Sequence, residues 1–247
     1  MMNRKLRTEP SKSGNLTDYY VFVFYFAELK FNHLRQYFEE VSRYLESEAV
    51  KLDEELKAEV KSLGYLEEEA DFYYDSHYSD EIEIWDRTFP HIILSSVLMA
   101  ACSLLESALT NACHYLERDG EEIIRCKWAD IPPNDTGIKR ANLFLQKNVC
   151  IHLEDHPNWQ NILAYYHVRD TIVHAGGDLS HLNQRKRHGV EDALRKFKKS
   201  GISADYGNKI QLQASFLDKV LNEMTTFWKD LGTAFKENDK LGPRYWP

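Results

Sequence analysis

Apolar residues recur close to every 3.6 positions along most of this chain, which is the spacing of an amphipathic α-helix. The first such stretch covers residues 16–63, and Thr17 or Asp18 could cap its start. Gly64 interrupts the pattern. Residues 19–26 also have the composition of a strand, but no partner strand follows nearby, which favours a helix or its irregular start.

The second helical stretch is apolar almost all round. It begins at Pro90, whose missing N–H suits a first helical turn, and runs to about Leu116, with Gly120 as its stop. Residues 88–105 carry no charge and reach the lower limit of a membrane-spanning length. Because a proline, a histidine and three serines interrupt this run, we predict a buried core helix rather than a membrane span.

Shorter elements follow. We predict helices over residues 137–148, from a cap at Asp155 to Gly176–Gly177, over 190–199 and over 215–235. Residues 209–216 alternate in polarity and predict a short extended segment.

Together these elements predict an all-α protein, a bundle of about five to seven helices with a long N-terminal helix. We expect a disordered tail over residues 1–16, one helical domain over 17–236 and a second tail over 237–247. Within the domain, residues 17–87 form an N-terminal extension and residues 88–236 form the core.

Composition narrows the class of protein. With 11 Gly and 7 Pro in 247 residues, an all-β or Gly-rich nucleotide-binding fold is improbable, and no P-loop, GxGxxG or GxSxG motif is present. The first 18 residues contain no apolar signal stretch, and the four cysteines have no paired spacing, so we expect a cytoplasmic protein.

The net charge of −8 argues against a general nucleic-acid or membrane-surface protein, but the charge is unevenly distributed. Residues 39–83 hold 16 acidic and 4 basic side chains, a balance of −12. Residues 166–200 hold 8 basic and 4 acidic side chains, a balance of +4. A polyanion therefore has room to bind at one particular place.

Histidine and cysteine spacing offers one metal alternative. Cys150, His152 and His156 could bind a metal together with Cys126, but tetrahedral zinc sites usually show tighter paired spacing. In the segment HLEDH, Leu153 stands where a zinc protease has its general-base Glu. Surface histidines before a helix are the simpler interpretation, and we predict no metal and no cofactor.

The most informative segment covers residues 164–180. An apolar helix carries Arg169 and Asp170, and His174 lies in its last turn before Gly176–Gly177. Asp170 and His174 are four residues apart and share a helix face, so Asp170 could orient the imidazole or stabilise its charged form. Arg169 and His174 lie about 140° apart around an ideal helix. One helix would not direct both at one atom, whereas a second copy across a two-fold axis would bring two arginines and two histidines together.

This pattern, RDTIVH from Arg169 to His174, resembles the HEPN superfamily of small all-α domains, and in particular its abortive-infection or RiboL-PSP-like branch. In that branch an upstream apolar helix carries a Leu-Glu pair, here Leu105-Glu106, and the motif helix ends in a His followed by small residues. The resemblance covers residues 88–235.

The resemblance implies a metal-independent endoribonuclease that acts as a homodimer through the motif helix, in a toxin or antiphage defence context. RNA carries its own nucleophile in the 2′-OH, so His174 would move the proton while Arg169 holds the phosphate, leaving a 2′,3′-cyclic phosphate. Asp170 and Glu106 would support this pair. Many family members have Asn where Asp170 stands, and Gly176 replaces a Tyr that serves as a modification target in some members, so that form of control is not predicted.

A basic cluster follows the motif and is predicted to bind RNA through Arg185, Lys186, Arg187 and Lys196. It also includes Arg195, Lys198 and Lys199, and its simpler interpretation is a solvated helix face.

Each site residue also has a structural interpretation. Arg169 and Asp170 could form an ordinary interface ion pair, His174 could satisfy free carbonyls at a helix end, and Glu106 could be a structural carboxylate with an arginine partner. The alternative function is a non-catalytic HEPN module that binds nucleotide or a protein partner, and a third is a helical scaffold without a ligand. We expect RNA and a second copy as partners, a regulatory protein as a further possibility, and no membrane.

Overall fold

The structure, a computed structural model, describes residues 21–65, 67–119, 124–132 and 137–238. The predicted N-terminal tail, the stop at Gly120 and all but two residues of the predicted C-terminal tail lie outside these ranges. The described chain is mostly helical and contains one short two-stranded hairpin, so the all-α prediction is confirmed.

The long N-terminal helix is confirmed as helix α1, Phe26–Ser62, which a π-helical turn at Val21–Tyr25 precedes. Gly64 ends it in a left-handed conformation with φ of +75°, which glycine adopts without a steric penalty. The chain then turns back into helix α2, Glu67–Glu83. The Tyr74 hydroxyl donates a hydrogen bond of 2.6 Å to the Asp53 carboxylate and so ties α2 to α1.

The second helical stretch begins at Phe89, one residue before the predicted Pro90, but it is continuous with the helix before it. A π-helical turn at Ile84–Thr88 joins α2 directly to helix α3, Phe89–Asp119. The Phe89 N–H donates to the carbonyl of Ile84, five residues earlier, which is the hydrogen-bond spacing of a π-helix. The next residue, Pro90, has no N–H to donate. A π turn next to a proline allows the helix to continue where a regular α-helix would break.

The run Glu68–Arg118 contains the apolar stretch that resembles a membrane span. Its most apolar window has a mean hydropathy of 2.0, and half of that window is buried in the fold. The core helix of a soluble protein has the same properties, so this run is weak evidence for a membrane and is compatible with the predicted core helix.

The later elements largely follow the sequence pattern. Helix α4 is Gly137–Val149, helix α5 is Trp159–Ala175, helix α6 is Gln184–Phe197 and helix α7 is Ala214–Lys236. Strand β2, Ile210–Leu212, confirms the extended segment and pairs antiparallel with β1, Ile202–Ala204. Single 3₁₀ turns lie at Trp128–Asp130, Leu153–Asp155, Leu179–His181 and Lys198–Ser200.

Two predicted helix starts differ from the structure. Asp155 lies in a 3₁₀ turn, and Asn158 occupies the cap position of α5, because Pro157 disfavours helical geometry in the residue before it. Helix α6 begins at Gln184 rather than near residue 190, because the Asn183 side chain caps it by accepting the Lys186 N–H at 3.0 Å.

The chain groups into two compact units. The first contains the described residues of 1–28, 106–153 and 228–247, and the second those of 29–105 and 154–227. In the first unit, the Phe24 ring stacks on Trp228 with centroids 5.0 Å apart, and the Trp228 indole N–H donates to the Phe24 carbonyl. In the second unit, the core includes the fully buried Leu98, Ile162, Val168 and Phe216.

Candidate functional site

Helix α5, the motif helix, is anchored in the second unit by its aromatic residues. The Tyr166 hydroxyl donates a hydrogen bond of 2.6 Å to the Cys102 carbonyl of α3. The Tyr165 ring contacts Phe197 of α6 and Phe216 of α7 at centroid distances of 5.0 and 5.6 Å. These contacts fix the rotation of α5, and they leave the residues between its buried stripes partly exposed.

A carboxylate on α7 holds the same helix by hydrogen bonds. Glu223 accepts bonds from the Tyr165 hydroxyl at 2.6 Å and from the Asn161 amide at 2.8 Å, and Lys219 lies 2.7 Å from its other oxygen. Burial raises the pKa of Glu223, but the bonds from Lys219, Tyr165 and Asn161 together outweigh burial and lower it. The sequence analysis did not identify this cluster, although Asn161–Tyr165 and Lys219–Glu223 both have the i, i+4 spacing of neighbours on a helix face.

The end of the motif helix matches the prediction. Gly176 and Gly177 both adopt positive φ, at +59° and +79°, and the Gly177 N–H donates to the Thr171 carbonyl at 3.1 Å. The Gly177 carbonyl then accepts the Ile210 N–H of β2 at 2.9 Å. The last turn, which carries His174, is therefore held by a glycine cap and by the hairpin.

The side chains of Arg169 and Asp170, which are neighbours in the sequence, bind each other. A guanidinium nitrogen of Arg169 donates to the Asp170 carboxylate at 2.7 Å. The Arg169 side chain is 26% exposed and that of Asp170 is 43% exposed, so both are accessible to a ligand. Asp170 pairs with its neighbour, and within the described chain it makes no ion pair with His174.

His174 is exposed in the last turn of α5, and within the described ranges its ring makes no hydrogen bond or ion pair. It shares a helix face with His167, seven residues earlier. The geometry leaves the His174 nitrogens open to solvent and to a ligand.

The basic helix α6 packs against the motif helix at a glycine. A Cβ atom placed on Gly189 would lie 3.3 Å from the His167 ring, so the two helices approach closely there. Arg185, Lys186, Arg187 and Lys196 are all exposed. Arg187 pairs with Glu191 at 2.8 Å, which leaves Arg185 and Lys186 as the stronger candidates for a phosphate.

Glu106 belongs to the first unit and is half-buried. Its carboxylate lies against Gly137 at the start of α4, where a Cβ atom would overlap it. The glycine at this position therefore makes room for the Glu106 side chain. The predicted support of Arg169 or His174 by Glu106 stays a prediction.

The residues of the metal alternative have other partners. The His152 Nδ1 lies 3.2 Å from the Gln146 amide, and the His156 Nδ1 accepts the Asn158 N–H at 3.0 Å. Within the described ranges, no three His, Cys, Asp or Glu side chains are grouped closely enough to hold a metal ion.

Comparison of the whole chain with models of known protein families, with curated protein sequences and with solved structures finds no match. A functional interpretation therefore depends on the residues and geometry of the motif helix.

Proposed function

We propose that this protein is a metal-independent endoribonuclease of the HEPN type, which acts as a cytoplasmic homodimer in a toxin or antiphage defence setting. The observation that carries the proposal is the accessibility of the motif pair. His174 is exposed at the capped end of α5, and the Arg169 side chain is 26% exposed on the same helix.

The chemistry needs only these two groups and the RNA. A neutral His174 takes the proton of a ribose 2′-OH, whose oxygen attacks the adjacent phosphorus. The bond from phosphorus to the 5′ oxygen breaks, and that oxygen takes a proton from solvent water. Arg169 stabilises the negative charge on the phosphoryl oxygens. The products are a 2′,3′-cyclic phosphate and a 5′-OH end.

The basic helix supports RNA as the substrate. Arg185 and Lys186 are exposed on α6, which contacts the motif helix through Gly189 and His167. His174 lies about 10 Å along α5 from His167, at 1.5 Å per residue. A single-stranded RNA that follows α6 would therefore remain within a few nucleotides of the imidazole, attracted by local positive charge despite the acidic average.

One observation favours the alternative, a non-catalytic module that binds nucleotide or a protein. Asp170 holds the Arg169 guanidinium at 2.7 Å, and this carboxylate also adds negative charge beside the phosphate position. In a nuclease, Arg169 must share or exchange this partner when RNA binds. In the alternative, the ion pair is structural and the protein binds without cleaving.

RNA cleavage by the purified protein in EDTA distinguishes these functions. We expect wild type to cleave and to leave 2′,3′-cyclic phosphate ends, and His174→Ala and Arg169→Ala each to lose roughly 100-fold or more in rate. His181→Ala is the matched control, because His181 is an exposed histidine outside the motif helix. This variant should cleave RNA at the wild-type rate. Equal cleavage by wild type and both motif variants would exclude this site. RNA binding without cleavage would assign the protein to the alternative.

A further inference from the structure

The second unit carries an apolar groove between α1 and the chain around the second π turn. Two adjoining depressions of about 300 Å³ each form it, and they share Leu45, Trp85 and Ile93 as their common lining. One depression is lined by apolar and aromatic side chains alone. This groove is distinct from the face of α5 that carries His174.

Large apolar side chains along this groove are exposed to an unusual degree. Tyr44 is 59% exposed, Ile92 is 54% exposed and Phe89 is 38% exposed, and all three line the same depression. Single exposed apolar residues are common on protein surfaces, but a contiguous patch of this kind marks an interaction site.

The charge around the groove is negative. Glu46 and Asp86 line the other depression, and no Lys, Arg or His is among the residues that line either one. Neither carboxylate makes an ion pair within the described part of the chain. Residues 39–83, which include the α1 side of the groove, carry a balance of −12, so the groove suits a positively charged occupant and repels an anionic membrane.

The dimensions fit a short helix. The lining residues extend along α1 from Val41 to Ala49 and along the facing segment from Trp85 to Leu94, or about 12 Å of each helix. An amphipathic helix fills such a groove with apolar side chains at i, i+4 and i+7.

The basic helix of a second copy does not provide such a face. The apolar residues Val190, Ala193 and Phe197 of α6 are buried in their own fold. We propose that the groove binds an amphipathic helix of a partner protein, with aliphatic side chains at i, i+4 and i+7 and with Lys or Arg beside them. This binding does not depend on the proposed RNA cleavage.

Fluorescence anisotropy with a labelled 16-residue peptide of Leu and Lys, patterned as an amphipathic helix, tests the proposal on the full chain. Two peptides serve as controls, one with Glu in place of every Lys and one of the same composition with the Leu spacing scrambled. We expect saturable binding of the first peptide, and binding of each control peptide at least about tenfold weaker.

Substitutions in the protein locate the binding. Ile92→Glu, and the double variant Glu46→Lys with Asp86→Lys, should each weaken binding about tenfold or more. Val50→Glu and Glu54→Lys are matched controls on exposed positions of α1 outside the groove and should bind as wild type does. Unchanged circular dichroism and unfolding midpoints establish that each variant folds.

Three outcomes overturn the proposal. They are no saturable binding of the Leu/Lys peptide, equal binding of the scrambled peptide, and equal binding to wild type and Ile92→Glu. Sedimentation of the free protein adds a fourth. If Ile92→Glu dissociates an oligomer that Val50→Glu leaves intact, the occupant is a second copy rather than a partner protein.

Discussion

The motif helix ends at residues whose backbone conformation is as important as their side chains. Gly176 and Gly177 occupy the left-handed region, and Gly177 joins the helix end to strand β2. The last turn, with His174, is thus held from its C-terminal side. The pair Arg169–Asp170 is held differently, by a direct hydrogen bond between neighbouring side chains.

Gly176→Ala tests the importance of the helix end. No atom lies near a Cβ at this position, so the expected loss of about 1 kcal/mol in unfolding free energy comes from the left-handed conformation alone. Urea unfolding followed by circular dichroism measures it. Gly176→Asn is the matched control, because asparagine tolerates this conformation better, and it should lose less. An alanine variant as stable as wild type would contradict the assigned backbone geometry.

At the scale of elements, periodicity identified the helices because burying one face leaves a 3.6-residue pattern in the sequence. The same pattern did not predict the π turn that joins α2 to α3 before Pro90, because that turn depends on how the hydrogen-bond register shifts. It also did not predict β1, a strand of only three residues that pairs with β2 across a short loop.

The local features of the candidate site were predictable from the sequence, and its contacts between helices were not. The helix, its glycine end and the positions of Arg169 and His174 follow from the sequence, since they are local features. The contact of Gly189 with His167 depends on interhelical packing, which no single segment encodes.

The Glu223 cluster that joins α5 to α7 makes stability depend on pH. Because the hydrogen bonds lower the pKa of Glu223 below its ordinary value of 4.5, the cluster stabilises the fold above that pH. This contribution is lost as the pH falls through the lower folded-state pKa. Glu223→Gln should therefore reduce the unfolding free energy by roughly 1–3 kcal/mol at pH 7 and by much less at pH 3.

Urea unfolding of wild type and Glu223→Gln at both pH values measures this difference. Glu54→Gln is the control, because Glu54 is exposed on α1 and its substitution should have little effect at either pH. A loss from Glu223→Gln that is as large at pH 3 as at pH 7 would show that packing, and not the charged carboxylate, holds the two helices.

At the scale of the whole molecule, the net charge of −8 separates into regions with different partners. Residues 39–83 carry −12 and include the α1 side of the apolar groove, whereas residues 166–200 carry +4 and include α6 and the part of the motif helix that holds Arg169 and His174. The proposed RNA and the proposed basic helix would thus be attracted to different surfaces, and each would be repelled by the other's surface.

The proposed dimer predicts how two inactive variants behave together. Because Arg169 and His174 lie about 140° apart around one helix, each reacting phosphate needs the arginine of one copy and the histidine of the other. Mixed dimers of Arg169→Ala with His174→Ala, purified through two affinity tags, keep one of two such pairs and should regain about half of the wild-type cleavage rate.

The reciprocal mixed dimer is the matched control for this prediction. It pairs a wild-type copy with a copy carrying both substitutions, so neither pair formed between the copies is intact, and cleavage should be lost. If each copy instead used its own Arg169 and His174, the results would be reversed: the reciprocal dimer would keep about half of the activity, and the first mixture would have none. Failure to isolate any mixed dimer would contradict the homodimer itself.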